Sequence, residues 1–193
     1  MHSPIFYYLF RLSGTIIDLI KLRWILLAVS GLLFAPPLFA GDVEYKVKAG
    51  YLYNFTKFIT WPKDGSSTFN LCILGADPFG ALLDPIEQRT AFAKPIKLFR
   101  LEDIGALART SKSNVCHILF ISSALGSVPV QQSKNVLTVG ESEGFARNGG
   151  MIGFITENSR IKLQINWRAF KNSDLKVSAK LLEVADIIGD EHD

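Results

Sequence analysis

Few residues in this chain have types and spacings suited to chemistry. Past residue 40 it holds two histidines, His117 and the penultimate His192, and two cysteines, Cys72 and Cys116. His117 adjoins Cys116 in the apolar run VCHILFI, residues 115–121, which reads as a strand. Successive side chains of a strand point to opposite faces, so adjacency alone does not make a Cys-His nucleophile pair. His117 therefore reads as a structural histidine. Neither cysteine has the CxxC or Cys-His spacing that assembles a zinc site. No GxSxG elbow, HExxH helix or P-loop occurs, and Ser173-Asp-Leu-Lys176 matches a bare SxxK without its companion motifs. Charged residues are scattered rather than paired at catalytic spacing. From the residues alone we expect no catalytic site, no metal and no cofactor.

Two glycine-bearing turns could meet a ligand through backbone amides. Gly75-Ala-Asp-Pro-Phe-Gly80 sits at a strand-to-helix turn but lacks the GxGxxG pattern, and reads as turn chemistry. Gly144-Phe-Ala-Arg-Asn-Gly-Gly150 calls for positive φ angles, and reads either as a ligand-facing nest or as a tight connection to the next strand.

The elements that would position these residues follow from the hydrophobic pattern. WILLAVSGLLF, residues 24–34, is an uncharged run preceded by Lys21 and Arg23 and followed by a Pro-Pro pair and Ala40-Gly41. Too short to span a bilayer, it reads as the core of a cleavable signal peptide covering residues 1–40, with an uncleaved amino-terminal anchor as the competing reading. Residues 41–193 then form one exported domain with 18 basic and 17 acidic side chains. So balanced a charge excludes a nucleic-acid binder. In an oxidising compartment an even pair of cysteines reads as one disulfide, with two buried free thiols as the competing reading.

Glu44 to about Thr60 reads as a helix, stopped by Pro62. Apolar residues cover well over half of its circumference, so it is either sandwiched in the core or carries a partner-binding face. The aromatic residues of that stretch, Tyr51, Tyr53, Phe55, Phe58 and Trp61, are the candidate partner-binding set. Strands are expected at residues 69–75, 95–101, 115–121 and 136–139. Between them lie a helix capped by Asp77-Pro78 and running through Ile86, a short helix over 103–109, and one within 122–132 broken by Pro129. This alternation predicts a mostly parallel sheet with helices on both faces. A hairpin over 151–156 and 161–167 makes the sheet mixed, and a last helix is expected over 178–188. Each cysteine falls early in its strand, and such strands can be neighbours in an open α/β sheet, which agrees with a disulfide.

Three blocks, taken in order, resemble the YfiR family of small periplasmic proteins. They are Val47-Lys-Ala-Gly-Tyr-Leu-Tyr-Asn-Phe-Thr-Lys-Phe-Ile-Thr-Trp-Pro62, Cys116-His-Ile-Leu-Phe-Ile121, and Gly144 through Gly149-Gly150-Met151-Ile152 and Ile165-Asn166 to Leu175-Lys-Val-Ser-Ala-Lys-Leu-Leu182. The resemblance implies an exported single-domain α/β protein. It also implies a regulatory role: the family's best-known representative holds a membrane diguanylate cyclase inactive through its periplasmic sensor domain, and an outer-membrane lipoprotein relieves that repression. It implies a tendency to form homodimers, a disulfide between Cys72 and Cys116, and structural roles for Gly149, Gly150, Met151, Asn166, Ser178, Lys180 and Leu182. The representative's second disulfide has no counterpart, since Phe145, Ile152 and Gly153 stand in that region. The receptor implied is the sensor domain of an inner-membrane diguanylate cyclase or kinase. A small-molecule sensor with a cleft at the carboxyl ends of the strands is the alternative.

Overall fold

A computed structural model describes residues 40–126 and 134–189. The expected leader, Pro129 and His192 lie outside the described residues. Helix α1 spans Ala40–Phe58. Its last expected residues instead open into a two-residue strand, β1 (Ile59–Thr60), because the backbone there pairs antiparallel with β9 (Lys176–Val177). Among the described residues no helix is long and apolar enough to cross a membrane.

The largely apolar runs at residues 69–74, 118–121 and 137–140, buried on both faces, lie side by side in the sheet. β2 (Phe69–Leu74) lies between β4 (Lys94–Leu101) and β5 (Ile118–Ile121), parallel to both, and β6 (Leu137–Gly140) and β7 (Ile152–Glu157) continue the parallel run. β8 (Arg160–Asn166) pairs antiparallel with β7 across Asn158 and Ser159, both at positive φ. The eight-stranded order is β10-β8-β7-β6-β5-β2-β4-β3, with β3 at Thr90–Ala91 and β10 at Ala185–Ile188. It is the mixed, mostly parallel α/β sheet that the alternation predicts.

Period-two alternation divides the core in two. Leu71, Ile73, Phe120 and Val139 face α1 with its Leu52 and Phe55, and Ile59 of β1, whereas Cys72, Leu74, Leu119 and Ile121 face the other side. There Ala106 and Leu107 of α3 (Ile104–Thr110) cover them, and Asp103 caps that helix by accepting from the Ala106 amide at 2.6 Å. Helices thus lie on both faces.

Local readings differ in three places. Asp77 Oδ1 accepts from Phe79 N at 2.8 Å, ahead of a 3₁₀ turn (Gly80–Leu83) that starts at Phe79 without a side-chain cap and precedes α2 (Asp84–Glu87), whose second residue is a proline. Ser122 caps a 3₁₀ turn (Ser123–Leu125). The last expected helix is a correction: after α4 (Trp167–Lys171) and β9, only α5 (Ala179–Leu182) is helical, and β10 pairs parallel with β8. The ladder with Leu163–Asn166 outweighs helix propensity in a segment whose apolar spacing fits either structure.

Candidate partner-binding surface and the aromatic pocket beyond α1

Past α1 the chain turns at Trp61-Pro62 into the loop ahead of β2. Trp61 is buried, and its indole N–H donates to the His117 carbonyl at 3.0 Å. Around it stand Phe69, edge-on at 5.0 Å, and Phe92, at 5.7 Å. His117 stacks on Phe69 at 4.5 Å. These rings wall a cavity of about 650 Å³ at the amino ends of β2 and β5, with Lys63, Asp64 and Lys94 among its lining residues. Phe92 is 47 % exposed, and it and Ala93 adopt φ of 52° and 60° in the β3–β4 turn. A bulky residue in that region carries backbone strain.

A polar network closes the cavity floor. Asp64 accepts from Lys94 Nζ at 2.6 Å, from the Ser66 hydroxyl at 2.8 Å and from His117 Nε2 at 2.8 Å. Burial pushes the Asp64 carboxyl up, but the Lys94 ammonium and the Ser66 hydroxyl and amide outweigh it and hold it far below the carboxylate range. Burial pushes the His117 imidazole below its ordinary value, with Asp64 opposing the shift. The imidazole's other nitrogen, Nδ1, accepts the backbone N–H of Asn70 at 2.9 Å. Nδ1 is therefore the bare nitrogen and Nε2 carries the proton, which it donates to Asp64. Ser66 Oγ lies 3.4 Å from Nε2. Serine, histidine and aspartate meet here, but the histidine's only basic nitrogen faces a backbone amide rather than the serine. The network orders the loop and is not arranged for nucleophilic catalysis.

A second cleft, about 610 Å³, lies where the parallel strands end. Its wall includes Lys48, 3 % exposed, with Nζ 2.6 Å from both Glu44 and Glu141. Burial pushes the Lys48 ammonium down; the two carboxylates outweigh it and raise it, while Lys48 holds Glu44 below its usual value.

The five expected partner-binding rings separate. Phe55 is 1 % exposed and stacks on Phe154, and Trp61 is likewise core, so neither offers appreciable surface. Tyr51 is half-buried against Phe55 and Phe154, Phe58 is half-buried, and the half-buried Tyr53 ring sits under Lys57 and Arg89. Among the described residues of α1, Val43 and Val47 are the exposed large apolar ones. Sequence reasoning missed Phe92, whose turn lacks the Gly or Asn that marks a two-residue hairpin.

The disulfide joins Cys72 in β2 to Cys116, two residues ahead of β5, with Cα atoms 5.8 Å apart. A family model described as YfiR/HmsC-like matches residues 45–186, across both cysteines and all three blocks of the resemblance. The chain belongs to the YfiR/HmsC-like family. No curated protein matches the chain.

The YfiR/HmsC-like blocks bear directly on packing. Gly149 and Gly150 close a loop wound around Phe145: the Gly150 amide donates to the Phe145 carbonyl at 3.0 Å, and a Cβ on Gly150 would fall 2.1 Å from that ring. Met151 N donates to Thr138 Oγ1, and Asn166 N to the Met151 carbonyl. Ser178 N donates to the Phe58 carbonyl, tying α5 to the end of α1. Lys180 is exposed, and Leu182 packs against the α1-side core.

Proposed function

We propose that this chain is a periplasmic regulatory binding protein that restrains an inner-membrane signalling enzyme, a diguanylate cyclase, and so lowers cyclic-di-GMP output. Residues 1–40 act as its signal peptide and residues 41–193 as the working domain. Family membership and the disulfide support an exported regulator. The observation that carries the binding role is Phe92, an apolar ring held half out of the fold, at a strained φ, above the cavity walled by Trp61 and Phe69. Exposed aromatic anchors beside a pocket are what a protein interface uses. The outer stripe of α1, with Val43, Val47, Tyr51 and Phe58, extends the surface offered to the sensor domain. Such a protein acts by preferring one conformation of its receptor, which requires no catalysis. An outer-membrane lipoprotein would release the enzyme by competing for the regulator, and the regulator itself works as a homodimer.

The test compares cyclic-di-GMP in cells carrying the wild-type gene, a deletion, and Phe92→Asp at equal periplasmic abundance. Deletion should raise cyclic-di-GMP, the wild-type gene should restore it, and F92D should not. An unchanged level on deletion would overturn the proposal.

A second reading, a small-molecule sensor working with a kinase, draws on the cleft at the carboxyl ends of the strands. It predicts a thermal shift with a soluble metabolite and no change in cyclic-di-GMP.

A further inference from the structure

The glycine-rich segment 144–150 is a tight connection into β7, yet it also presents Arg147, which meets no acidic partner among the described residues. Arg147 projects from this loop into a cavity of about 390 Å³ whose lining also includes Asn166, Arg168, Ile188 and Gly189. Both guanidinium groups are exposed, and no carboxylate lines the cavity among the described residues. Lys48, Lys94, Arg100 and Lys162 each lie against an acidic partner and Arg89 lies on a tyrosine ring, whereas Arg147 and Arg168, like several other surface cations, face no acid among the described residues.

Asn166 sets the backbones that carry the two arginines. Its Nδ2 donates to the Ala146 carbonyl at 2.8 Å, next to Arg147, and its Oδ1 accepts from Ala169 N at 3.0 Å, next to Arg168. One side chain thereby fastens the loop to the first turn of α4. The loop is braced from inside by the Phe145 ring and by Asn148 N donating to the Gly144 carbonyl at 2.8 Å. Gly189 suits the rim: at φ 73° a side chain would be strained, and a Cβ there would sit 3.0 Å from Asn166 Oδ1 and 3.4 Å from Arg168 Cβ. Two arginine forks on fixed backbones, lining one cavity with no acid among its described residues, suit an anion that can accept from both.

We propose that this cavity binds a tetrahedral oxyanion, a phosphate or phosphomonoester, held between Arg147 and Arg168. Planar guanidinium groups match phosphate oxygens in paired hydrogen bonds, and two of them balance the double charge of a phosphomonoester. The phosphate group is shared by soluble phosphomonoesters and anionic lipid headgroups. The site is independent of the Phe92 surface, so neither reading depends on the other.

The test titrates the full chain with inorganic phosphate at constant ionic strength, against sodium chloride as reference, by calorimetry. Saturable heat with phosphate and none with chloride is expected. Arg147→Gln and Arg168→Gln should each weaken the dissociation constant by about 10-fold to 100-fold, the usual cost of one charge-assisted contact. Lys97→Gln, another surface cation, should leave it unchanged. Glycerol 1-phosphate and vesicles containing phosphatidylglycerol then identify the source: competition by the first marks a soluble ligand, and sedimentation with the second alone marks a headgroup. Equal response to phosphate and chloride, or phosphate binding that survives in the R147Q/R168Q double variant, overturns the proposal.

Discussion

The backbone amide of Asn70 donates to His117 Nδ1 at 2.9 Å, so this histidine is folded as a neutral base that cannot accept a proton without losing the contact. Protonation would set N–H against N–H. The unfolded imidazole titrates near 6.5, above the lowered value in the fold, so below that pH the unfolded chain binds more protons. Stability is therefore full above about 6.5 and falls as pH drops toward the lowered native value. Asp64, held much lower, adds its loss only at far more acid pH. Urea midpoints measured from pH 8 to pH 5 should decline in the wild type. His117→Phe, which orphans the Asn70 amide, should lose about 1–3 kcal/mol at pH 8 yet flatten the profile between 6.5 and 5. An undiminished slope in H117F would assign the acid sensitivity elsewhere.

How much of this could be read in advance depends on where each signal was local. The strands of residues 69–74, 118–121 and 137–140 are legible as largely apolar runs, and Asp103 as a cap, because hydrophobic pattern and capping chemistry are properties of neighbouring residues. The β10 strand was not legible, since Ala185–Ile188 takes its structure from pairing with Leu163–Asn166, a partner remote in sequence. Nor was the aromatic pocket. Trp61 was visible as an aromatic candidate, but Phe92 stood in a segment without a hairpin signature, and only the fold brings it to 5.7 Å from Trp61. Phe55 and Tyr51 differ in exposure although both sit on the broad apolar face of α1, because the sheet covers one and reaches only the edge of the other.

The disulfide closes a separation of 44 residues between strands that the ladder already holds together. In the chain-entropy description such a closure stabilises by about 4 kcal/mol through the unfolded state. Cys72→Ala/Cys116→Ala should unfold at a correspondingly lower urea concentration while keeping the wild-type fold by circular dichroism. Oxidised wild type should take up no alkylating label before reduction and two labels after it. Labelling of both thiols without reduction would contradict the pairing.

Lys48 makes the buried end of a three-charge cluster, with Glu141 nearly as buried and Glu44 at the rim. Removing the cation strands the Glu141 carboxylate, and Lys48→Met should cost about 3–5 kcal/mol. Replacing both groups, Lys48→Met with Glu141→Met, should cost clearly less than K48M alone, because no uncompensated charge then remains inside. Additive losses in chemical denaturation would show that packing of the lysine stem, rather than charge, sets the cost.

Gly140 and Gly150 hold the Phe145 ring between two backbones that leave no room for a methyl group, the closest built Cβ contacts being 2.4 Å and 2.1 Å. Gly150→Ala should destabilise by about 1–3 kcal/mol through overpacking. Phe145→Leu in the same chain should recover part of that loss, a coupling that a thermodynamic cycle measures directly. Independent effects of the two substitutions would place the strain in the backbone instead.

Phe92 joins stability to function in opposite directions. Its φ of 52°, with Ala93 at 60°, builds the kind of two-residue turn that glycine or asparagine normally supplies. Phe92→Gly relieves about 1 kcal/mol or more of conformational strain, and against this the variant loses an edge contact to Trp61 at 5.7 Å and a tilted ring contact to Phe69 at 5.8 Å. Because the ring is nearly half exposed, those contacts are shallow, and the two effects should leave the melting temperature within about 3 °C of wild type or raise it. Receptor binding should fall by at least tenfold if the ring is an anchor of the interface. A residue that strains the backbone and adds little to the core is retained most simply for what it touches outside. Unaltered receptor binding in F92G would remove Phe92 from the interface and leave the outer stripe of α1 to account for it.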